Sequence, residues 1–383
     1  MGAHVMKYMG SKRVMLQNGL GQLLKDEADS CRRFVDLFCG AASVSWFCAD
    51  KFSKPVLATD LQLYAVVLAG AVIARTRPLS SEKVRQRWLP CVSTTRESYA
   101  AWPKGRDLDQ SGLNIATWRK RAQELCMAKA DGAGPIWKAY GGHYFSPTQA
   151  LTLDAMLEAL PRNKPARTVC LAAAVIAASK CVASPGHTAQ PFKATRTAGR
   201  FLREAWLRDP VCYATKALDM LCPRHATILG DATVGDANSV VTQLDEGDLV
   251  FVDPPYSGVH YSRFYHVLET MARGACGDVT GVGRYPPPTE RPVSKYSRKT
   301  ESRQAMSDLL TSLAHAGCRV IVTFPAGKCS NGLSGSVVAN IAKKLFSVER
   351  NVVTSRFSTL GGNNSHRSAR SLSREMMLLL RPK

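Results

Sequence analysis

Short apolar runs that stop at an acid recur towards both ends of this chain and are missing from its middle. Arg33-Phe-Val-Asp36, Pro55-Val-Leu-Ala-Thr-Asp60, Thr227-Ile-Leu-Gly-Asp231 and Asp248-Leu-Val-Phe-Val-Asp253 each read as a short strand, because β-branched and aromatic residues crowd into a few consecutive positions. Helical periodicity follows the first two, with Val44 and Phe47 on one inner face and then Leu61 to Ala74. The alternation resumes late, as a helix over Gln304–Ala316, a strand over Cys318–Phe324 and a helix over Ser336–Leu345. Two strand-like runs, 347–357 and 375–381, close the chain around the turn-rich Gly361 to Arg367. Alternating strands and helices predict an open α/β sheet. From about Arg75 to Arg224 the pattern is helical instead, over Trp118–Lys129, Thr148–Leu160, Val169–Cys181, Phe201–Leu207 and Tyr213–Leu221. Val169–Cys181 is apolar nearly all round, which predicts burial.

The run at Leu249–Val252 ends in Asp253-Pro254-Pro255-Tyr256. Proline donates nothing to a sheet ladder, so the two prolines terminate the strand and hold a rigid, extended turn. A carboxylate and an aromatic ring are thereby presented at the carboxyl edge of a strand, where open α/β sheets bind ligands.

Composition narrows the partners. The 383 residues carry 51 Lys and Arg against 30 Asp and Glu, a formal charge of +21, and such a field favours polyanions, nucleic acid first among them. The basic residues are not gathered on one amphipathic helix, as a membrane surface would require. The apolar run Leu63–Ala74 falls short of the roughly 18–20 residues of a membrane span, and Met1 to Lys7 holds no signal-peptide core, so a cytoplasmic protein is expected. The 12 cysteines contain no Cys-x-x-Cys pair; Cys39, Cys48, Cys170 and Cys181 sit among apolar neighbours as small core residues, and no metal is expected.

Other stretches carry possible chemistry. Lys7-Tyr8-Met-Gly10-Ser-Lys12-Arg13 is a glycine-bearing turn feeding a helix, suited to holding a carboxylate or phosphate through backbone N–H groups, although a capped surface helix explains it as well. Asp36-Leu-Phe38-Cys-Gly40-Ala-Ala42-Ser43 is a small-residue turn that lets backbone approach a ligand. Asp60, about 20 residues on, is placed to bond both hydroxyls of a ribose, or to cap a helix. Basic and aromatic residues recur in the stretches Trp102–Arg106, Tyr140–Phe145 and Ser184–Arg196, read as loops suited to phosphate contacts and base reading. Gly274 to Ser302 is long, polar and without pattern, and reads as a mobile loop over a site.

Taken together, these segments resemble the adenine-specific DNA methyltransferases of the Dam-like, D12 class. Lys7-Tyr-Met-Gly-Ser-Lys12 is similar to that family's N-terminal cofactor motif, Phe34-Val-Asp-Leu-Phe-Cys-Gly40 to its strand-one motif, Asp60 to its strand-two acid, and Asp253-Pro-Pro-Tyr256 to its catalytic tetrad, in the family's order around an insert. The resemblance covers the chain ends well and the middle poorly. It implies a Rossmann-like S-adenosylmethionine-dependent methyltransferase sheet built from residues 1–79 and 226–383, with an inserted, mainly helical target-recognition domain at 80–225. It implies that S-adenosylmethionine is contacted by Tyr8, Lys12, Asp36, Phe38, Gly40, Asp60, Asp231 and Asp253. Asp253, Pro254 and Tyr256 would be catalytic. The implied partner is double-stranded DNA, with a cognate restriction or defence system a further candidate, in a nucleoid-associated setting. One departure is Ala42, where the family has a second glycine.

The residues account for such chemistry. The lone pair of an exocyclic amine is conjugated with its ring, and becomes nucleophilic only as the nitrogen turns tetrahedral. Asp253 and the Pro254 carbonyl are acceptors able to hold its two N–H groups in that geometry and to stabilise the positive charge that develops. Tyr256 supplies a stacking face for a base drawn out of the duplex. Transfer to the N4 of cytosine, transfer to adenine in RNA, and a catalytically idle nucleic-acid-binding protein are the alternatives.

Overall fold

The computed structural model describes residues 12–127, 134–358 and 370–383, with side chains at 354–358 and 370–373 left out of the description. Two compact units emerge: one of Met9–Arg77, His225–Ser262 and Pro292–Lys383, the other including Pro78–Arg224 and Arg263–Arg291.

The first unit is the α/β sheet that the alternation predicts. Its strands are β1 (Arg33–Asp36), β2 (Val56–Asp60), β3 (Asp231–Val234), β4 (Asp248–Val252), β5 (Arg319–Pro325), β6 (Phe346–Ser358) and β7 (Arg370–Pro382), in the order β3-β2-β1-β4-β5-β7-β6. β1 to β5 run parallel, and β7 inserts antiparallel between β5 and β6. The chain moves outward from β1 to β2 and β3, then returns to lay β4 on the other side of β1. The order therefore reverses between β1 and β4, and a ligand crevice is expected outside the carboxyl ends of those two strands. Every residue of β4 is buried, as a central parallel strand requires. Val250, Val252, Val320, Val322, Leu378 and Leu380 form a core with Leu309, Leu310 and Leu313 of the helix Ser302–His315. At the opposite edge of the sheet Arg33 clamps the buried Asp248 with Nε at 3.1 Å and Nη2 at 2.5 Å.

β3 departs from the expectation for Thr227–Asp231. The ladder begins at Asp231 and ends at Val234, whose register partner is Asp60. The preceding residues run across other elements: Thr227 N bonds to Ala49 O and Gly230 N to Ile73 O. Gly230 lies so close to Val56 that a Cβ there would meet its carbonyl oxygen at 2.3 Å. Ile228 and Leu229, the apolar pair that suggested a buried strand, are 43% and 60% exposed.

The second unit is helical, as its pattern suggests, and Lys164–Cys181 is its buried helix. Proline at the first turn starts the helices Pro135–Tyr140, Pro147–Glu158, Lys164–Cys181 and Pro210–Leu221, and Ser146 with Gln149 forms a capping box. One expected loop is something else: Trp102–Asp109 is a helix. Ser81–Ser98, for which no element was expected, is another, its periodicity hidden by polar composition and the internal Pro90. Tyr140, Tyr144 and Phe145 are fully buried, and the Tyr144 hydroxyl donates to the carbonyls of Thr188 and Gly283. Nor is the long segment from Gly274 a loose strap. In the helical unit Arg284 bonds to the Ala139 carbonyl, and in the sheet unit Tyr296 is 1% exposed and bonded to Asn238. Single aromatic anchors in polar sequence give no periodic signal, which is why this order is invisible to pattern. Among the described residues no helix is long and apolar enough to cross a membrane.

Candidate active site

At the reversal point β1 delivers Asp36, 1% exposed, in register with Phe251 of β4. The Ser45 hydroxyl donates to Asp36 Oδ2 at 2.6 Å. Oδ1 is buried and has no partner among the described residues. Burial raises the Asp36 carboxyl to about 7, with Ser45 pulling it down and the charge of Asp253 pushing it further up. A buried carboxylate oxygen with an unused lone pair is a place for a ligand's donor, a cationic amine above all.

The turn after β1 closes through Ala42 N on Cys39 O at 2.7 Å, with Gly40 at φ 47° and Ala42 at φ 59°. Ala42 thus adopts the left-handed conformation a glycine would take there, at a cost of about 1 kcal/mol, so the departure at this position leaves the turn intact. Asp60 ties the next strand to this turn: Oδ2 accepts from Gly40 N and Oδ1 from Gln62 N, both at 3.0 Å. The helix Leu63–Ile73 is capped at Gln62, so Asp60 is not its N-cap residue. Burial lifts Asp60 to about 6, against these backbone donors. Phe38 is half-buried and meets Tyr296 edge-on, centroids 5.2 Å apart.

Beyond β4, Asp253 Oδ1 is held by the Lys12 ammonium at 3.0 Å and the Thr323 hydroxyl at 2.8 Å. Its Oδ2 accepts no hydrogen bond from any described residue, and the Asp253 side chain keeps 16% of its exposure. The Pro255 carbonyl is occupied by Asn331 Nδ2 at 3.0 Å, whereas the Pro254 carbonyl accepts nothing among the described residues. Asn331 is fully buried and also bonds to Tyr296 O and Leu333 N, and Ser330 Oγ accepts from Gly258 N, so the loop after β5 braces the proline turn. Tyr256 packs, half-buried, against the sheet's core, and Tyr261 is hydrogen-bonded to it.

Lys12 has a second partner, Glu375 of β7, at 3.2 Å. Lys12 and Glu375 are withdrawn from water, 4% and 3% exposed, while Asp253 keeps its 16%. Burial works against the Lys12 ammonium, but the two carboxylates outweigh it and its pKa ends above the ordinary lysine value. Burial likewise pushes Asp253 and Glu375 up, with Lys12 pulling both back. Thr323, Asn331 and Glu375 were not among the expected site residues. The signal was a polar residue inside an apolar strand for Thr323, in Val-Ile-Val-Thr323-Phe, and an acid at the head of an apolar run for Glu375, in Glu375-Met-Met-Leu-Leu.

Of the expected residues, Lys12, Asp36, Phe38, Gly40, Asp60, Asp253, Pro254 and Tyr256 come together at the carboxyl ends of β1, β2 and β4, while Tyr8 lies outside the described residues. Asp231 must be corrected. It stands at the opposite, amino end of β3, exposed and in register with Leu57, about 10 Å of strand from the edge that holds Asp60. The acid that the fold brings near Asp60 is Asp236, just past β3, where Gly235 N bonds to Asp60 O. Asp236 caps the turn Ala237–Val240 and lies beside Tyr296, which bonds Asn238 and faces Phe38. The two Gly-Asp pairs, 230–231 and 235–236, made the substitution easy; only the strand's true start separates them.

Residues 8–107 match the family model described as D12 class N6 adenine-specific DNA methyltransferase, so the resemblance read from the motifs is borne out over that stretch. The chain is similar to the modification methylase LlaI of Lactococcus lactis subsp. lactis, 23% identical over 317 residues that make up 80% of this chain and 44% of the relative. It is also similar to the type II methyltransferase M.FokI of Planomicrobium okeanokoites, 36% identical over 75 residues, 20% of this chain and 11% of the relative. The chain therefore spans less than half the length of the curated relatives it matches.

Proposed function

We propose that the chain is a DNA methyltransferase that moves a methyl group from S-adenosylmethionine to the N6 amine of an adenine rotated out of double-stranded DNA. The observation that carries this reading is the state of Asp253. One carboxylate oxygen is fixed by Lys12 and Thr323, and the other is left to accept, next to a Pro254 carbonyl that is also unengaged among the described residues. Two fixed acceptors beside each other suit the two N–H groups of an exocyclic amine.

Asp36 Oδ1 fits the cofactor's amino group, because it is a buried anion short of a donor. Asp60, held by two backbone N–H groups, keeps lone pairs for ribose hydroxyls. Asp236, in place of Asp231, is the acid we assign to the cofactor's adenine, and Phe38 supplies an apolar face. S-adenosylmethionine, when bound, supplies a methyl carbon activated by a sulfonium. Asp253 and Pro254 turn the amine so that its lone pair points away from the ring. Transfer would form the N–C bond as the C–S bond of the bound donor broke, leaving the electron pair on the donor and releasing the amine's proton to solvent. Asp253 acts throughout as an acceptor, its charge opposing the cation that forms on nitrogen. Tyr256 stacks on the extruded base.

The helical unit is assigned the DNA. Residues 78–224 hold 22 Lys and Arg against 11 Asp and Glu. In it Lys193, Arg196 and Arg200 are exposed beside Phe201, 41% exposed, with the Arg200 guanidinium 4.6 Å from its ring centre. Cations beside an accessible ring suit phosphates and base edges. The relatives' names extend the proposal to a role beside a restriction enzyme.

The test is mass spectrometry of nucleosides from DNA and RNA treated with the protein and labelled cofactor, with mapping of the modified sites. N6-methyladenine in DNA is expected, and Asp253→Ala should lower transfer by at least about 100-fold. N4-methylcytosine, or label in RNA alone, would overturn the assignment of substrate. Tight, salt-sensitive DNA binding without cofactor binding would instead support an idle binding protein.

A further inference from the structure

We infer that Glu375, on β7 at the far end of the chain, is a positioning residue that sets the charge of the acceptor pair at the reacting amine. This rests on the reading of Asp253 given above.

A buried Lys12–Asp253 pair alone would be neutral, and an ammonium 3.0 Å from Oδ1 would draw electron density away from the carboxylate just where acceptor strength is needed. The structure does not leave the pair alone. Glu375 takes the same ammonium at 3.2 Å, so with both carboxylates ionised the cluster of Asp253, Lys12 and Glu375 would carry one net negative charge in a largely buried site. Its placement follows from the sheet: β7 runs antiparallel beside β5, Glu375 pairs with Pro325 at the carboxyl end of β5, and Thr323 of the same strand bonds Asp253. The inserted antiparallel strand thus returns a carboxylate to the edge where the parallel strands end. Burying a third charge is costly unless it does something, since a single carboxylate would satisfy Lys12. The function it suits is to divide the ammonium's pull between two carboxylates, leaving Asp253 Oδ2 negative as the substrate nitrogen becomes positive. Glu375 touches no reacting atom; it acts through Lys12.

Glu375→Gln keeps the shape and a hydrogen-bonding group and deletes the charge. At saturating DNA and cofactor, kcat should fall about 10- to 100-fold, the worth of one unit charge a few ångströms off in a site of intermediate dielectric. KM for DNA and cofactor affinity by calorimetry should change less than about threefold. With its anionic neighbour gone, Asp253 is easier to ionise, so the acid limb of the kcat–pH profile should move to lower pH. Glu375→Asp, one methylene shorter, should restore most of kcat and the original limb. A Gln variant within twofold of wild type at every pH overturns the inference. So does a Gln variant that loses activity only through cofactor affinity or KM, with the acid limb unmoved. If the Gln variant melts below the assay temperature, the Asp variant decides: a kcat near wild type supports the charge role, and a collapse of kcat in a folded protein refutes it. Wild type that transfers no methyl group defeats the underlying reading, whereas wild type that transfers while the Gln variant matches it defeats only this inference.

Discussion

Asp36→Asn should stabilise the ligand-free protein increasingly as the pH rises, while weakening the cofactor site. Asp36 is fully buried, and burial carries its carboxyl from 3.8 to about 7. Above pH 7 it is charged both in the fold and in the unfolded chain, so the whole cost of burying the charge, about 4 kcal/mol, weighs against folding. As the pH drops below 7 the folded protein takes up a proton that the unfolded chain does not bind. The cost then shrinks to about 2 kcal/mol at pH 5 and vanishes below about 3.8. Asn keeps the shape and an acceptor for Ser45 and does not titrate. Its own unpaired N–H costs about 1–3 kcal/mol at any pH, so the absolute difference from wild type mixes two opposed effects, but its change with pH does not.

Between pH 5 and 8 the variant should gain about 2–3 kcal/mol on wild type, or about 5–10 °C in Tm for a unit of this size. Asp60, raised to about 6, titrates in both proteins and cancels. The assay is a series of urea and thermal melts of both proteins without ligand across that range. A stability difference that stays constant within about 0.5 kcal/mol would show that Asp36 is not a strained, ligand-seeking carboxylate. Calorimetry supplies the other half: wild-type affinity for S-adenosylmethionine should fall up to tenfold per pH unit below 7, and the weak affinity of the Asn variant should not follow pH in this way.

Three further outcomes follow from the geometry. Lys12→Met leaves Asp253 and Glu375 buried without their counter-charge, so it should cost about 3–5 kcal/mol at pH 8, measured by urea melts, and less at pH 5, where a raised carboxyl can neutralise itself by protonation. Asp231→Ala should leave cofactor affinity within twofold of wild type, whereas Asp236→Ala should weaken it about tenfold and cost roughly 1 kcal/mol of stability through the lost cap; equal effects in calorimetry would refute the reassignment. Asp248→Asn breaks a buried two-point clamp with Arg33 at the other edge of the sheet, and should lower stability by about 3 kcal/mol in melts with little change in cofactor affinity.

What was legible in the chain and what was not divide along one physical line. Asp36, Asp60 and Asp253 each end an apolar strand within a few residues, so burial pattern and acid are read together, and the fold that gathers them follows from the alternation of strands and helices. Ser81–Ser98 and the packed Tyr296 were hidden because a polar helix and a lone aromatic anchor carry no period. Asp231 was misplaced because Ile228 and Leu229, which suggested the strand, are exposed and precede the ladder; the register with β2 alone shows where β3 begins. Glu375 is the sharpest case. It lies 363 positions from Lys12, and what brings the two together is the antiparallel insertion of β7 beside β5. The local sequence says only that an acid stands at the head of the apolar run Met376–Leu380, where burial costs several kcal/mol unless it is paired. That cost is itself informative: a charged residue inside a strand that must be buried implies a counter-charge somewhere in the chain. Among the described cations of the sheet unit, Lys12 is the buried one that also reaches the carboxylate we assign to catalysis.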